Sequence, residues 1–561
     1  MRAAIAVILI LIATLLLLAA TVPTFDFDEA LYRRVAEEMK QSNEYFVMTW
    51  DGKPFYEKPP TYIWSIVASS FLVDGRSPHV SVFASRLPSV ICSLATFFLL
   101  AWFWRRMAPQ YAGAFGTTIG DSGRWLLSPV LPLLAYGTGL FAMGGAASVV
   151  LDPMLTLFLL APLLVFAGAV FRDDLRLTMP EVMIAGLGMA AATAVKGLVG
   201  IVLPALALGV HVLLTRRMRQ ITGVVWAFAV AVAVAAMFYA FVYQFTGPQF
   251  FREFFIRQHF IRATTPMQGH RGPLFFHVAI VALIGGPLVA FVLRSWPRTR
   301  ELAFARWGFP LTWTATVIVF YSAMATKLPN YTWPVWPALV LTLCILIMRA
   351  YSECEKRPAR WLGVAAYVCL TPIAAAFMLL GAGADVWIHP SYTPRAAMML
   401  SAIEPVPISV RIGLVIIGAA MALQIVELRA FGLQLDRQSR LLWKPLASAV
   451  VLNCLALSAI STMVLPFADR SLRGPLVRLS QDAWTQHAGQ DLTTVGLFSP
   501  TVSSSYGGVR VRQVGHLPHP VARKQHQQLF MIPAWQSAVC REPDCVVLKR
   551  DQYLLLCEEI Q

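Results

Sequence analysis

Charged residues interrupt an otherwise apolar chain at several points. Glu57 and Lys58 precede Pro59-Pro60, Arg257, His259 and Arg262 cluster in one short stretch, and Asp28, Glu29, Asp152, Lys196, Lys327 and Tyr331 each interrupt apolar sequence. If the apolar stretches lie in a bilayer, each ionisable group at membrane depth costs roughly 2.5–3.5 kcal/mol unless paired or wetted, which makes these positions functional candidates. Carboxylates alone would suit a cation. Carboxylates beside Lys and Arg suit an anionic headgroup together with acid/base or metal chemistry. Each position also has a structural reading. Asp28 can cap a helix, Glu57-Lys58 can be a surface pair before a proline turn, and Asp152-Pro153 has the form of an N-cap with proline at the first helical position. Lys196 and Lys327 suit helix ends that reach headgroups, His259 a basic interfacial helix, and Arg86 an anchor at a span end.

The elements that position these residues follow from composition. The 561 residues are 57% hydrophobic and 14% charged, with 34 Phe and 16 Trp, whereas soluble domains carry about a quarter charged residues. The formal charge of +16 would suit nucleic acid in a soluble protein. Here most Lys and Arg sit in short segments between apolar runs, which points to membrane topology and not to nucleic acid. At roughly twenty apolar residues per crossing, the sequence predicts about thirteen spans. They lie near 3–22, 83–104, 125–146, 153–171, 181–195, 197–214, 221–243, 273–293, 309–325, 333–348, 361–381, 410–429 and 445–466. Residues 3–22 are longer than a secretion signal's apolar region and no small-residue cleavage site follows, so they read as a retained span.

Arg105-Arg106, Arg172/Arg176, Arg216-Arg217, Arg294/Arg298/Arg300, Arg349/Lys356/Arg357 and Arg429/Arg437/Arg440 all fall on one side of this arrangement. The positive-inside rule makes that side cytoplasmic and puts the tail outside. The chain thus divides into a membrane domain, 1–466, with an outer loop at 23–82, and a soluble tail, 467–561. In the loop, Leu31, Val35 and Met39 share one face of a predicted amphipathic interfacial helix, with Arg33, Arg34, Glu37, Glu38 and Lys40 elsewhere. Residues 61–73 are apolar but too short to span and read as a second surface helix. The tail has β-like runs at 494–498, 509–514 and 546–549, consistent with a small α/β domain. Cys540 and Cys545 in it could pair or remain thiols, and no zinc-type cysteine spacing occurs.

The candidates therefore converge on the outer face. There the motifs D-E-A-L-Y (28–32), G-K-P-F-Y-E-K-P-P (52–60), R-L-P-S (86–89), L-D-P-M (151–154), V-K-G (195–197), H-F-I-R (259–262) and T-K-L-P-N-Y (326–331) occur in the order of a known family. The chain resembles the lipid A aminoarabinose transferases and the wider polytopic glycosyltransferases that use polyprenyl-phosphate sugars, over about its first 350 residues. E-K-P-P and K-L-P-x-Y are the most specific elements of the match. The resemblance implies a GT-C type architecture: an α-helical polytopic membrane protein with juxtamembrane interfacial helices and a periplasmic α/β tail in a bacterial inner membrane.

It also implies roles. Asp28 and Asp152 would border the reacting centre, Lys58 and Arg262 would hold the donor phosphate, and Tyr331 would add a hydroxyl. Glu57 and His259 resemble the pair that holds a divalent metal (Zn, Mg or Mn) in some members, although two ligands make a poor zinc site. Glu29, Lys196, Arg257 and Lys327 are further candidates. The implied partners are an undecaprenyl-phosphate-linked aminosugar, 4-amino-4-deoxy-L-arabinose or a hexosamine, and a lipid A phosphate acceptor. The order Phe55-Tyr56 and the residue Thr61 depart from the family's pattern. Were the acceptor a hydroxyl, as in protein O-mannosyltransferases, Asp28 would act as general base. A flippase or secondary transporter is the competing class, but the charges gather on one face and no inverted repeat is evident.

Overall fold

The computed structural model describes residues 2–22, 27–50, 52–115, 121–137, 147–172, 176–216, 224–267, 270–282, 304–352, 371, 374–379, 406–436 and 443–467, and the tail strands at 492–495, 511–514, 529–533, 545–551 and 554–559. The helices are α1 (Arg2–Thr21), α2 (Phe27–Ser42), α3 (Thr61–Val73), α4 (Val82–Ala114), α5 (Val130–Gly137), α6 (Asp152–Ala169), α7 (Met179–Lys196), α8 (Val199–Thr215), α9 (Val225–Phe251), α10 (Phe309–Ala323), α11 (Val335–Ser352), α12 (Ile408–Asp436) and α13 (Trp443–Ala459). Five described helices are long and apolar enough to cross a membrane, within Val82–Ala114, Asp152–Ala169, Val225–Thr264, Ile408–Ala430 and Lys444–Phe467. Their outward faces expose Ile91, Leu99, Trp102, Trp226, Met237, Leu423 and Val426. Contiguous exposed apolar surface of this kind needs lipid around it. The chain is a multi-pass membrane protein.

At α4 the 33 residues of helix reach about 50 Å, more than the ~30 Å of hydrocarbon, so the end bearing Arg105 and Arg106 projects beyond it. Between α6 and α9, α7 packs on both and on α8; α1 packs on α4 and α13, and α12 pairs with α13. The predicted span at 125–146 does not run as one helix: a 3-10 turn at Asp121–Leu127 comes first and α5 starts only at Val130. Ser128 N–H and Leu131 N–H close turns onto Trp125 O and Ser128 O there, and residues 138–146 of that prediction lie outside the described residues. Most of the predicted spans 273–293 and 361–381 lie outside them too.

The amphipathic helix predicted in the outer loop forms as α2, and Leu31, Val35 and Met39 are buried as expected. Its polar face is also covered, which the amphipathic pattern did not suggest. Glu37 accepts from Val80 N–H, Glu38 from Thr49 and Gly52, and Lys40 donates to Gly75 O. These contacts weld α2 to its own loop. The hairpin Thr49–Trp50/Lys53–Pro54 (β1 and β2) turns through Gly52 at φ +72°, a region that favours glycine. In the tail, β3 (Leu492–Val495), β4 (Val511–Val514), β5 (Leu529–Pro533), β6 (Cys545–Asp551) and β7 (Leu554–Glu559) form one mixed sheet, order β4-β3-β5-β7-β6. Its β3 pairs are parallel and its β7 pairs antiparallel. The predicted runs at 509–514 and 546–549 fall on β4 and β6, the run at 494–498 meets β3 only at 494–495 with 496–498 outside the described residues, and no predicted run covers β5 or β7.

Candidate active site

Helix ends build the site. Asp152 stands at the N-terminal end of α6 and Lys196 at the C-terminal end of α7, each with the charge its helix dipole favours. The two meet at 2.5 Å between Lys196 Nζ and Asp152 Oδ1. Asn330 Nδ2 donates to the other carboxylate oxygen at 3.0 Å, and Lys196 Nζ also lies 4.8 Å from the Tyr331 ring centroid. Leu151, not Asp152, occupies the N-cap position, so the Asp152 carboxylate serves the cavity and not its own helix.

The last carbonyls of α7 would be orphans at a helix terminus. Thr61 Oγ1 donates to Ala194 O at 2.8 Å, and Tyr239 Oη to Thr193 O at 2.7 Å. The departure at Thr61 thus docks the Pro59-Pro60 turn, with Glu57 and Lys58, against α7. Phe55 is buried, while Tyr56 packs edge-on against Phe250 at 6.1 Å. Beyond Gly247, whose φ of +65° breaks α9, the chain continues as a π-helix over Arg252–Ile261. Such segments are frequent at functional sites. Arg262 follows it and is held by Gln258 Oε1 at 2.6 Å, while Thr326 Oγ1 donates to Arg262 O at 2.9 Å.

These elements enclose a cavity of about 230 Å³ lined by Asp28, Tyr32, Glu57, Lys58, Asp152, Lys196, Gln258, His259, Arg262, Tyr321, Asn330 and Tyr331, among others. Burial and the neighbouring Arg262 guanidinium bring Lys58 down to about 8, against the pull of Asp28 and Glu57. Two cations held this close repel each other until an anion enters. Arg262 also lies close enough to Tyr331 to act on its phenol, and its Nε has no hydrogen-bond partner among the described residues. Burial, followed by the carboxylates Asp28, Asp152 and Glu57, pushes Tyr32 well above the usual phenol range.

Not every candidate reaches the cavity. Glu29, one residue from Asp28, turns into the protein and pairs with the fully buried Arg86 at 2.5 Å. Arg86 donates further to Ala19 O and Val22 O, so it is a buried clamp and not an anchor at a lipid headgroup. Arg257 is exposed and pairs with Glu253 at 3.0 Å. Lys327 is buried, with its ammonium bound to Ser322 O and Met324 O. Tyr32, Gln258, Tyr321 and Asn330 line the cavity although charge and spacing did not single them out.

A metal at Glu57 and His259 fits poorly. His259 Nδ1 donates to Phe254 O at 2.8 Å and Nε2 accepts from Leu198 N–H at 3.2 Å, so neither nitrogen has a lone pair to offer. The same imidazole fills the space beside Gly197, where a Cβ would fall 2.1 Å from Nε2. No group of three or more His, Cys, Asp or Glu able to hold a metal occurs among the described residues.

No protein-family model matches the chain. Among solved structures it is similar to ArnT from Cupriavidus metallidurans bound to undecaprenyl phosphate, with a TM-score of 0.70 at 18% identity over 100% of this chain and 97% of that one. The apo state of the same protein gives 0.68 over 99% and 97%. The chain shares that fold. Similar in sequence are the undecaprenyl phosphate-alpha-4-amino-4-deoxy-L-arabinose arabinosyl transferases of Yersinia enterocolitica, 21% identical over 360 residues, and Aeromonas salmonicida, 24% identical over 361. These alignments cover 64% and 63% of this chain, and it spans 61% and 62% of the length of those relatives.

Proposed function

We propose that the chain is an inverting glycosyltransferase that moves an aminosugar, 4-amino-4-deoxy-L-arabinose or a hexosamine, from undecaprenyl phosphate to a phosphate of lipid A. The observation that carries the reading is the cavity in which Lys58 and Arg262 lie together beside Asp28 and Asp152. The activity named for the sequence relatives, and the undecaprenyl phosphate bound to a protein of the same fold, support it. In this reading the membrane is the bacterial inner membrane, crossed about thirteen times, and the cavity and the 467–561 domain face the periplasm. The loop charges support that orientation.

An acceptor phosphate oxygen attacks the anomeric carbon from the face opposite the leaving group. The C1–O bond to undecaprenyl phosphate breaks, and its electron pair stays on the departing phosphate. That oxygen gains charge in the transition state, where Lys58, Arg262 and the Tyr331 hydroxyl stabilise it. A phosphate acceptor is already ionised at neutral pH and needs orientation more than a base. Asp28, half-buried at the cavity wall, steadies positive charge on the sugar ring, and Asp152 is the fixed carboxylate across from it. No step is assigned to a metal.

The test is mass spectrometry of lipid A from cells with and without the gene, and with Asp28→Asn. Added aminosugar mass that disappears with the gene and with Asp28→Asn supports the reading. Unchanged lipid A alongside altered lipid or solute uptake would favour a transporter.

A further inference from the structure

Beside the Asp152 carboxylate, two residues that line the cavity each carry a side-chain oxygen with no hydrogen-bond partner among the described residues. One is the hydroxyl of Tyr321, a residue only 2% exposed; the other is Asn330 Oδ1, whose amide nitrogen is committed to Asp152. Tyr321 lies in the field of both Asp152 and Tyr331, and its ring centroid is 4.8 Å from that of Tyr331. Both oxygens are closed off from bulk water, and a buried polar atom without a partner is costly. The Lys196 ammonium already serves Asp152 and does not supply the missing donor.

We propose that Tyr321 Oη and Asn330 Oδ1, beside Asp152, form a subsite for an amino or hydroxyl substituent of the donor's sugar ring. The set is rich in acceptors: Asn330 Oδ1 and the carboxylate can only accept, and the phenol can do either. It therefore selects a group that brings N–H or O–H bonds, whereas Lys58 and Arg262 take the phosphate. This rests on the glycosyltransferase reading above. A site built to hydrogen-bond a substituent discriminates far more strongly than an apolar pocket does, because mismatched ligands leave its polar atoms unpaired.

The test compares the dissociation constants of bare undecaprenyl phosphate and of its aminosugar-loaded form for the purified full chain, in wild type, Tyr321→Phe and Asn330→Ala. Tyr321→Phe removes one oxygen and keeps the ring. The wild type should prefer the loaded lipid. Each substitution should cut that preference about tenfold or more and leave the affinity for bare undecaprenyl phosphate within about twofold. A preference unchanged in Tyr321→Phe, or an equal loss for both lipids, overturns the subsite. A wild type that binds both lipids and prefers the loaded one without transferring sugar upholds the subsite and overturns the transferase reading.

Discussion

In the proposed reading, Lys58 makes the phosphate site sensitive to pH in a direction that can be worked out. Its ammonium titrates near 8 instead of its ordinary 10.5, because burial and Arg262 disfavour the charge more than Asp28 and Glu57 favour it. At about 1.36 kcal/mol per pH unit, the charged form is disfavoured by about 3 kcal/mol at this site. A phosphate oxyanion that restored the ordinary value of Lys58 would return about that amount, roughly two orders of magnitude in affinity. Below pH 8 Lys58 is already protonated and binding is independent of pH. Above pH 8 the free protein has lost the proton, and binding must take one up from solution, so affinity falls by up to tenfold per unit until the bound form also titrates. The phosphate itself, with a second ionisation near 6, is fully charged over this range. Binding of undecaprenyl phosphate to the purified chain, measured from pH 7 to 10 at fixed ionic strength, should show this break in wild type. Lys58→Arg should remove it, because a guanidinium stays charged throughout. A wild-type affinity that holds constant to pH 10, or a Lys58→Arg profile with the same break, would refute the assignment of Lys58 to the phosphate.

Arg86→Met leaves Glu29 buried without its partner at 0% exposure of the original arginine, and should cost about 3–5 kcal/mol, read as a lower midpoint of thermal unfolding in detergent. Adding Glu29→Gln to Arg86→Met should recover part of that loss. Gly197→Ala introduces a methyl group into the His259 ring at a φ of +78°, and should lower stability by at least ~1–3 kcal/mol and depress transfer together with it. Arg257→Ala removes only an exposed pair with Glu253, and sugar transfer should stay within about twofold of wild type. Loss of transfer in that variant would mean that Arg257 reaches the substrate.

Hydropathy and loop charge made the membrane class legible, because lipid imposes one length and one charge asymmetry on every span. The site was legible as a set of motifs but not as a set of directions. Glu29 and Asp28 are neighbours in sequence, yet about 100° of helix rotation sends one to Arg86 and the other to the cavity. Lys327 has the form of a headgroup lysine, but its ammonium turns back onto Ser322 O and Met324 O. Tyr321 reads as an ordinary aromatic near a span end, and only the tertiary arrangement places it beside Asp152. The tail strands β5 and β7 escaped notice because each short apolar run also suits a helix segment.

The charged groups lining the cavity divide into two kinds, and the division bears on which step they accelerate. Lys196 is spent on Asp152 at 2.5 Å, and Asn330 Nδ2 donates to the remaining carboxylate oxygen, so the charge of this pair is balanced before any substrate arrives. Lys58 and Arg262 are not complete in the same way, since Arg262 disfavours the charge on Lys58. A donor phosphodiester carries one negative charge, whereas the departing phosphate monoester approaches two. The interaction with Lys58 and Arg262 therefore strengthens as the C1–O bond breaks, which is the condition for an interaction to raise turnover and not merely binding. If the proposed function holds, the same reasoning makes undecaprenyl phosphate a product that competes with its own sugar-loaded form through these two residues. Relieving that inhibition by Lys58→Met, at the expense of kcat, is the outcome expected if both effects come from one pair of cations. Loss of donor binding with kcat unchanged would place Lys58 in the ground state alone.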